Sequence, residues 1–102
     1  MSFIFTETEG MVGAGAATAA LAATTAGLSG PAAAAAAVLP PGLDEISAVN
    51  AVRIGEHAAQ VAAMLGMASG IKEDYGASVM LSGAVYTLTD LMAQASIAAV
   101  AV

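Results

Sequence analysis

Pro40-Pro41-Gly42 restricts this chain more than any other feature. Proline has no N–H to give a helix, and its ring strikes the preceding turn. With a glycine beside them, two prolines therefore end any helix that reaches them. The residues on both sides are helix formers. Of the 102 residues, 28 are Ala, which has the best helix propensity. Upstream, the pattern predicts a helix over about 8–37, kinked near Pro31 by Ser29-Gly30-Pro31. Residues 38–44 form the turn. Downstream, Asp44 suits an N-cap and Glu45 the electropositive first turn. No proline follows, so a second helix is predicted over about 45–86, about 60 Å long at 1.5 Å per residue. Residues 87–102 are read as a tail with little to pack on. The one strand-like run is the short Phe3-Ile4-Phe5-Thr6. The expected fold is all-α: an antiparallel two-helix hairpin spanning 1–86.

The second helix carries a heptad. Ile54, Val61, Ala68, Tyr75 and Ser82 are seven apart, and so are Ala58, Leu65, Lys72, Val79 and Tyr86. Together they alternate four and three apart, as a coiled-coil seam does. Lys72 and Ser82 are the misfits, and Lys72 is expected to pair locally or lay its stem over the seam. Tyr75 is read as a core residue. Gly55, Ala59, Ala62, Ala63 and Gly66 form a small-residue face away from this seam.

Such a hairpin is short of stabilisation. Two antiparallel helices share one contact line, and each buried Ala contributes about one methyl group, ~0.8 kcal/mol. Gly55, Gly66, Gly70, Gly76 and Gly83 each cost about 1 kcal/mol against Ala in a helix interior. A hairpin of this kind needs a partner, either a second copy of itself or another helical protein. The residues expected to pack on helices are Ile54, Val61, Leu65, Ala68, Tyr75 and Val79.

Composition excludes several functions. Arg53 and Lys72 are the only basic residues against eight acids, a formal charge of −6, so no basic patch exists for nucleic acid or an anionic membrane. There is no Cys, hence no thiolate nucleophile or Cys-based metal site. The N-terminus lacks the basic segment of a Sec-type signal. Gly10 to Leu43 is free of charge and long enough to cross a bilayer, but it is mostly Ala, Gly, Thr and Ser. No integral span is expected.

No catalytic set emerges. His57 is the only histidine; Arg53 and Val61 stand four residues either side, so there is no helical metal pair. It reads as a surface residue beside Asn50, Arg53 and Gln60. G-x-S-x-G is absent. Gly13-Ala14-Gly15 follows no strand and reads as a softened helix. Gly66-x-x-x-Gly70 reads as close helix packing, and Glu73-Asp74 as a solvated face. The chain is expected to be non-enzymatic, with no cofactor and no metal. Tyr86 and Asp90, four apart, share one helix face.

Several features fall in one order: an opening Met1-Ser2-Phe3, Glu9 before an Ala-rich helix, then the block Val38-Leu39-Pro40-Pro41-Gly42-Leu43-Asp44-Glu45-Ile46-Ser47-Ala48. His57-Ala58-Ala59-Gln60 and Tyr86-x-x-x-Asp90 follow. This resembles the mycobacterial PE family over almost the whole chain. Thr8-Glu9 stands where that family has Pro-Glu, and Thr8 suits an N-cap there. The resemblance implies a hairpin that completes a four-helix bundle with a PPE-family protein, forming a heterodimer. It implies export by a type VII (ESX) secretion system, with a secretion chaperone acting through the PPE subunit. Tyr86 and Asp90 would be part of the export signal, and Thr8 and Glu9 the family-motif position. The expected location is cytoplasmic before export, then the cell envelope, the cell surface or outside. A competing expectation is a membrane-active envelope protein contributing to a pore or solute-uptake channel.

Overall fold

A computed structural model describes residues 5–100. The Met1-Ser2-Phe3 opening, the Phe3-Ile4 half of the strand-like run and the last two residues of the expected tail lie outside them. Three helices follow in order: α1 Thr8–Gly27, α2 Ser29–Ala34 and α3 Glu45–Val100. No strand occurs among the described residues.

The break between α1 and α2 falls at Leu28. Pro31 cannot donate to the carbonyl of Gly27, four residues back, and its ring crowds that carbonyl. The kink therefore appears three residues before the proline. Ser29 Oγ donates to the Ala26 carbonyl at 2.6 Å and steadies the joint. α2 then ends at Ala34, short of the expected 37, in a tightened turn where Ala36 and Ala37 N–H groups reach back to Ala33 and Ala34.

α3 starts where its cap predicts. The Asp44 carboxylate accepts the Ser47 N–H at 2.9 Å and the Ser47 hydroxyl at 2.7 Å. These bonds hold the exposed Asp44 carboxyl below its usual range. At its other end α3 runs to Val100, well past the expected 86. The tail reading is corrected: residues 87–100 hold no Gly or Pro, and Ala, Leu and Met favour the helix.

The chain forms two compact units, Met1–Ala19 with Glu73–Val102, and Ala20–Lys72. Each is an antiparallel helix pair with a very thin interior. In the first, the inner positions are Thr8, Met11, Gly15 and Thr18 on α1, facing Gly76, Val79 and Gly83 on α3. A Cβ added at Gly76 would lie 2.8 Å from the Gly15 carbonyl oxygen, so the two backbones touch there. In the second unit, Ala22, Thr25, Ser29, Ala32 and Ala36 turn inward, and so do Ala51, Gly55, Ala58, Ala62, Leu65, Ser69 and Lys72. A Cβ at Gly55 would sit 2.9 Å from the Ala36 carbonyl. Among the described residues no large side chain is fully buried.

Candidate interaction surface

The inner positions of α3 show which half of the expected heptad faces α1 and α2. Ala58, Leu65, Lys72 and Val79 turn inward as expected. The other row is shifted by one residue: Gly55, Ala62, Ser69, Gly76 and Gly83 occupy it, in place of Ile54, Val61, Ala68, Tyr75 and Ser82. The cause is helix separation. Backbones that approach to contact leave room only for glycine, alanine or serine, so larger neighbours are turned to the flank. Tyr75 is 63% exposed, which corrects its reading as a core residue. Ile54 is exposed as well, while Val61 and Ala68 are half-buried on that flank. Met64, Met67 and Ile71 also face outward.

The lone seam cation is accommodated by α1. Lys72 Nζ donates to Thr25 Oγ1 at 2.8 Å, and Thr25 Oγ1 donates in turn to the Leu21 carbonyl at 2.9 Å. Three residues earlier on α3, Ser69 Oγ donates to the Ala22 carbonyl at 3.0 Å. In place of the local pair or snorkelling stem expected from sequence, Lys72 has a hydroxyl acceptor on α1. Its signal was a threonine on α1, in a row of small residues seven apart.

The family-motif residues lie at one end of the first unit. Thr8 is the first helical residue, with the Met11 N–H bonded to the Glu7 carbonyl, so Glu7 takes the cap position expected for Thr8. First helical position is also where proline is favoured. Thr8 and Glu9 line a shallow groove of about 400 Å³ with Val12, Gly83, Ala84 and Thr87. Tyr86 lies on a different side of α3, in a second groove of about 410 Å³ with Leu81, Ser82, Val85 and Thr89. Asp90, one turn on, is exposed, as are His57 and the Glu73-Asp74 pair. No cluster of three or more His, Asp or Glu residues able to hold a metal occurs among the described residues.

The Gly66-x-x-x-Gly70 motif does not pack within its unit. Nothing lies within 4 Å of a Cβ added at either glycine. Close packing instead uses Gly15, Gly55, Gly76 and Gly83.

These features define an all-helical hairpin protein that spends its small residues on its own seam and leaves its larger apolar residues outside. Comparison with known proteins gives the family. The PE family model matches residues 5–93. The chain is also 42% identical, over 94 residues, to the PE family immunomodulator PE15 of Mycobacterium tuberculosis, in strains CDC 1551 / Oshkosh and H37Rv. Those matches cover 86% of this chain and 87% of the relative. No solved structure matches it. The chain belongs to the PE family. Neither comparison points to a catalytic family.

Proposed function

We propose that this chain is a non-enzymatic subunit that forms a heterodimer with a PPE-family protein. The pair is exported by a type VII (ESX) secretion system to the cell envelope or outside. Family membership carries this reading. The apolar flank of α3 supports it: Ile54, Tyr75 and their half-buried neighbours Val61 and Ala68 supply anchors for partner helices that would complete a four-helix bundle, while Leu65 and Val79 serve the chain's own seam. A secretion chaperone reaches the pair through the PPE subunit. Tyr86 and Asp90 are part of the export signal. The relative's name as an immunomodulator fits a site of action at the surface or beyond. The test is co-expression with PPE proteins of the same organism. A soluble one-to-one complex is expected; failure of any PPE protein to co-purify overturns the reading.

A second reading is favoured by one observation. The helical stretch Thr8–Ala34 is long and apolar enough to cross a membrane. On this reading the chain is a membrane-active envelope protein contributing to a pore or solute-uptake channel. Insertion of the purified chain into neutral phosphatidylcholine vesicles supports it; a complex that stays in the soluble fraction counts against it.

A further inference from the structure

From Ala84 to Val100 every side chain of α3 is exposed. α1 begins at Thr8, level with Gly83, so among the described residues no helix lies opposite α3 beyond Thr87 in its unit. A free helical segment of this length is marginal in water. Its sequence carries a second apolar row: Leu81, Val85, Leu88, Met92, Ala95 and Ala99. The spacing alternates four and three, the requirement for a two-helix seam. At 100° per residue this row lies on the side of α3 opposite the inner positions Gly76, Val79 and Gly83. Its four large members are 53–65% exposed.

The row is symmetric about position 90. Leu81 and Ala99 stand equally far from it, as do Val85 and Ala95, and Leu88 and Met92. Laid antiparallel on an identical row, Leu81 meets Ala99 and Val85 meets Ala95, large against small, while Leu88 meets Met92. That is the self-complementarity of a two-fold interface, in which residue i contacts j and j contacts i. Charge permits the same occupant. Two chains of charge −6 repel, so self-association requires a face without acids. Asp90 is the only charged side chain after Asp74, and it lies on the far side of the helix from the row.

We infer that the row Leu81, Val85, Leu88, Met92, Ala95 and Ala99 docks on the same row of a second copy of this chain, antiparallel and centred on position 90. The interface is separate from the flank assigned above to the PPE partner, and it leaves Tyr86 and Asp90 outside the row.

The natural chain has no cysteine, so single cysteines report the geometry cleanly. Full-length chains carrying Leu81→Cys and Ala99→Cys are mixed and oxidised in dilute solution. A disulfide between Leu81→Cys and Ala99→Cys chains is expected, in excess of either homotypic product. Sedimentation velocity on Leu88→Glu is expected to show at least about a tenfold weaker dimer, because both copies carry the charge into the seam. Circular dichroism of Leu88→Ser at low concentration checks that the unit still folds. Three results overturn the inference: equal or dominant Leu81→Cys homodimer, an unchanged mass for Leu88→Glu, or loss of a PPE partner by Leu88→Glu with self-association intact.

Discussion

Lys72 and Thr25 are joined by a 2.8 Å hydrogen bond at one end of the second unit's seam, where Leu65 is the one large apolar side chain among small ones. Thr25 is buried, and its hydroxyl is shared between the ammonium it accepts from and the Leu21 carbonyl it donates to. Together with Ser69 on the Ala22 carbonyl, this is the most directional contact across the second unit. Alanine and glycine offer no knobs to fix a register; a single polar position in a seam does.

The first prediction follows from that pair. Thr25→Val keeps the shape and removes the acceptor, leaving a half-buried ammonium short of a partner. It is expected to destabilise the fold by about 1–3 kcal/mol. Lys72→Met removes the charge as well as the need for an acceptor, and is expected to stay within about 1 kcal/mol of wild type. The double variant should then lose well under the sum of the two single losses, because without the ammonium nothing is left unpaired by Thr25→Val. Urea denaturation of all four chains measures this, and additive losses would show that the contact does not couple.

What could be read without coordinates was set by strong local chemistry. The Pro40-Pro41-Gly42 break, the Asp44 cap and the Ala58, Leu65, Lys72, Val79 row each rest on a residue type with one dominant preference. The companion row was off by one, because hydrophobicity pointed to Ile54 and Tyr75 while close approach demanded Gly55 and Gly76. The facing row before the turn was invisible for a related reason. Thr8, Gly15 and Ala22 on α1, Ser29 on α2 and Ala36 just after it are seven apart, but they are less apolar than the Leu and Val residues turned outward. Patterning by hydropathy has nothing to detect when the contact is made by size.

Glycines should therefore respond in opposite directions. Gly76→Ala forces a methyl against the Gly15 carbonyl and is expected to lower the melting temperature. Gly66→Ala and Gly70→Ala meet open space, so the gain in helix propensity prevails, about 1 kcal/mol each. Thermal unfolding followed by circular dichroism separates the two classes. A stabilised Gly76→Ala chain would mean that the helices are further apart than described.

Asp44 gives the pH dependence. Its carboxyl is held below the usual 3.8 by the Ser47 hydroxyl first and the Ser47 N–H second. A depressed folded-state value means that the cap contributes fully above the unfolded-state pKa and is lost as pH falls through the lower folded-state value. The start of α3 should fray on acidification below about pH 4. Asp44→Asn keeps an acceptor at every pH and should flatten this part of the profile. Amide exchange at Ser47 and Ala48 is the readout, and an identical acid response in Asp44→Asn would remove the carboxylate from the explanation.

Leu65 and Tyr75 distinguish the hairpin's own seam from the flank proposed for its partner. Leu65 is half-buried on the inner side, so Leu65→Asp places a charge against α1 and should cost several kcal/mol and the hairpin itself. Tyr75 is exposed, so Tyr75→Asp should leave the chain helical while weakening co-purification with a PPE protein. Normal recovery of the Tyr75→Asp complex would take Tyr75 out of the proposed interface.

Tyr86 and Asp90 should affect export without affecting pairing. Both are exposed on the C-terminal part of α3, one turn apart, and neither lies on the Leu81–Ala99 row. A ring and a carboxylate four residues apart on a continuous helix are presented together, and the extension of α3 to Val100 fixes their spacing. Had residues 87–102 been an irregular tail, that spacing would have been lost in solution. Tyr86→Ala and Asp90→Ala, made separately, should leave the intracellular PPE complex at normal yield and deplete the secreted fraction. Asp90→Glu keeps the charge and should restore most of it. Normal secretion of both alanine variants would sink the export assignment, and loss of the complex in Tyr86→Ala would return the ring to a packing role.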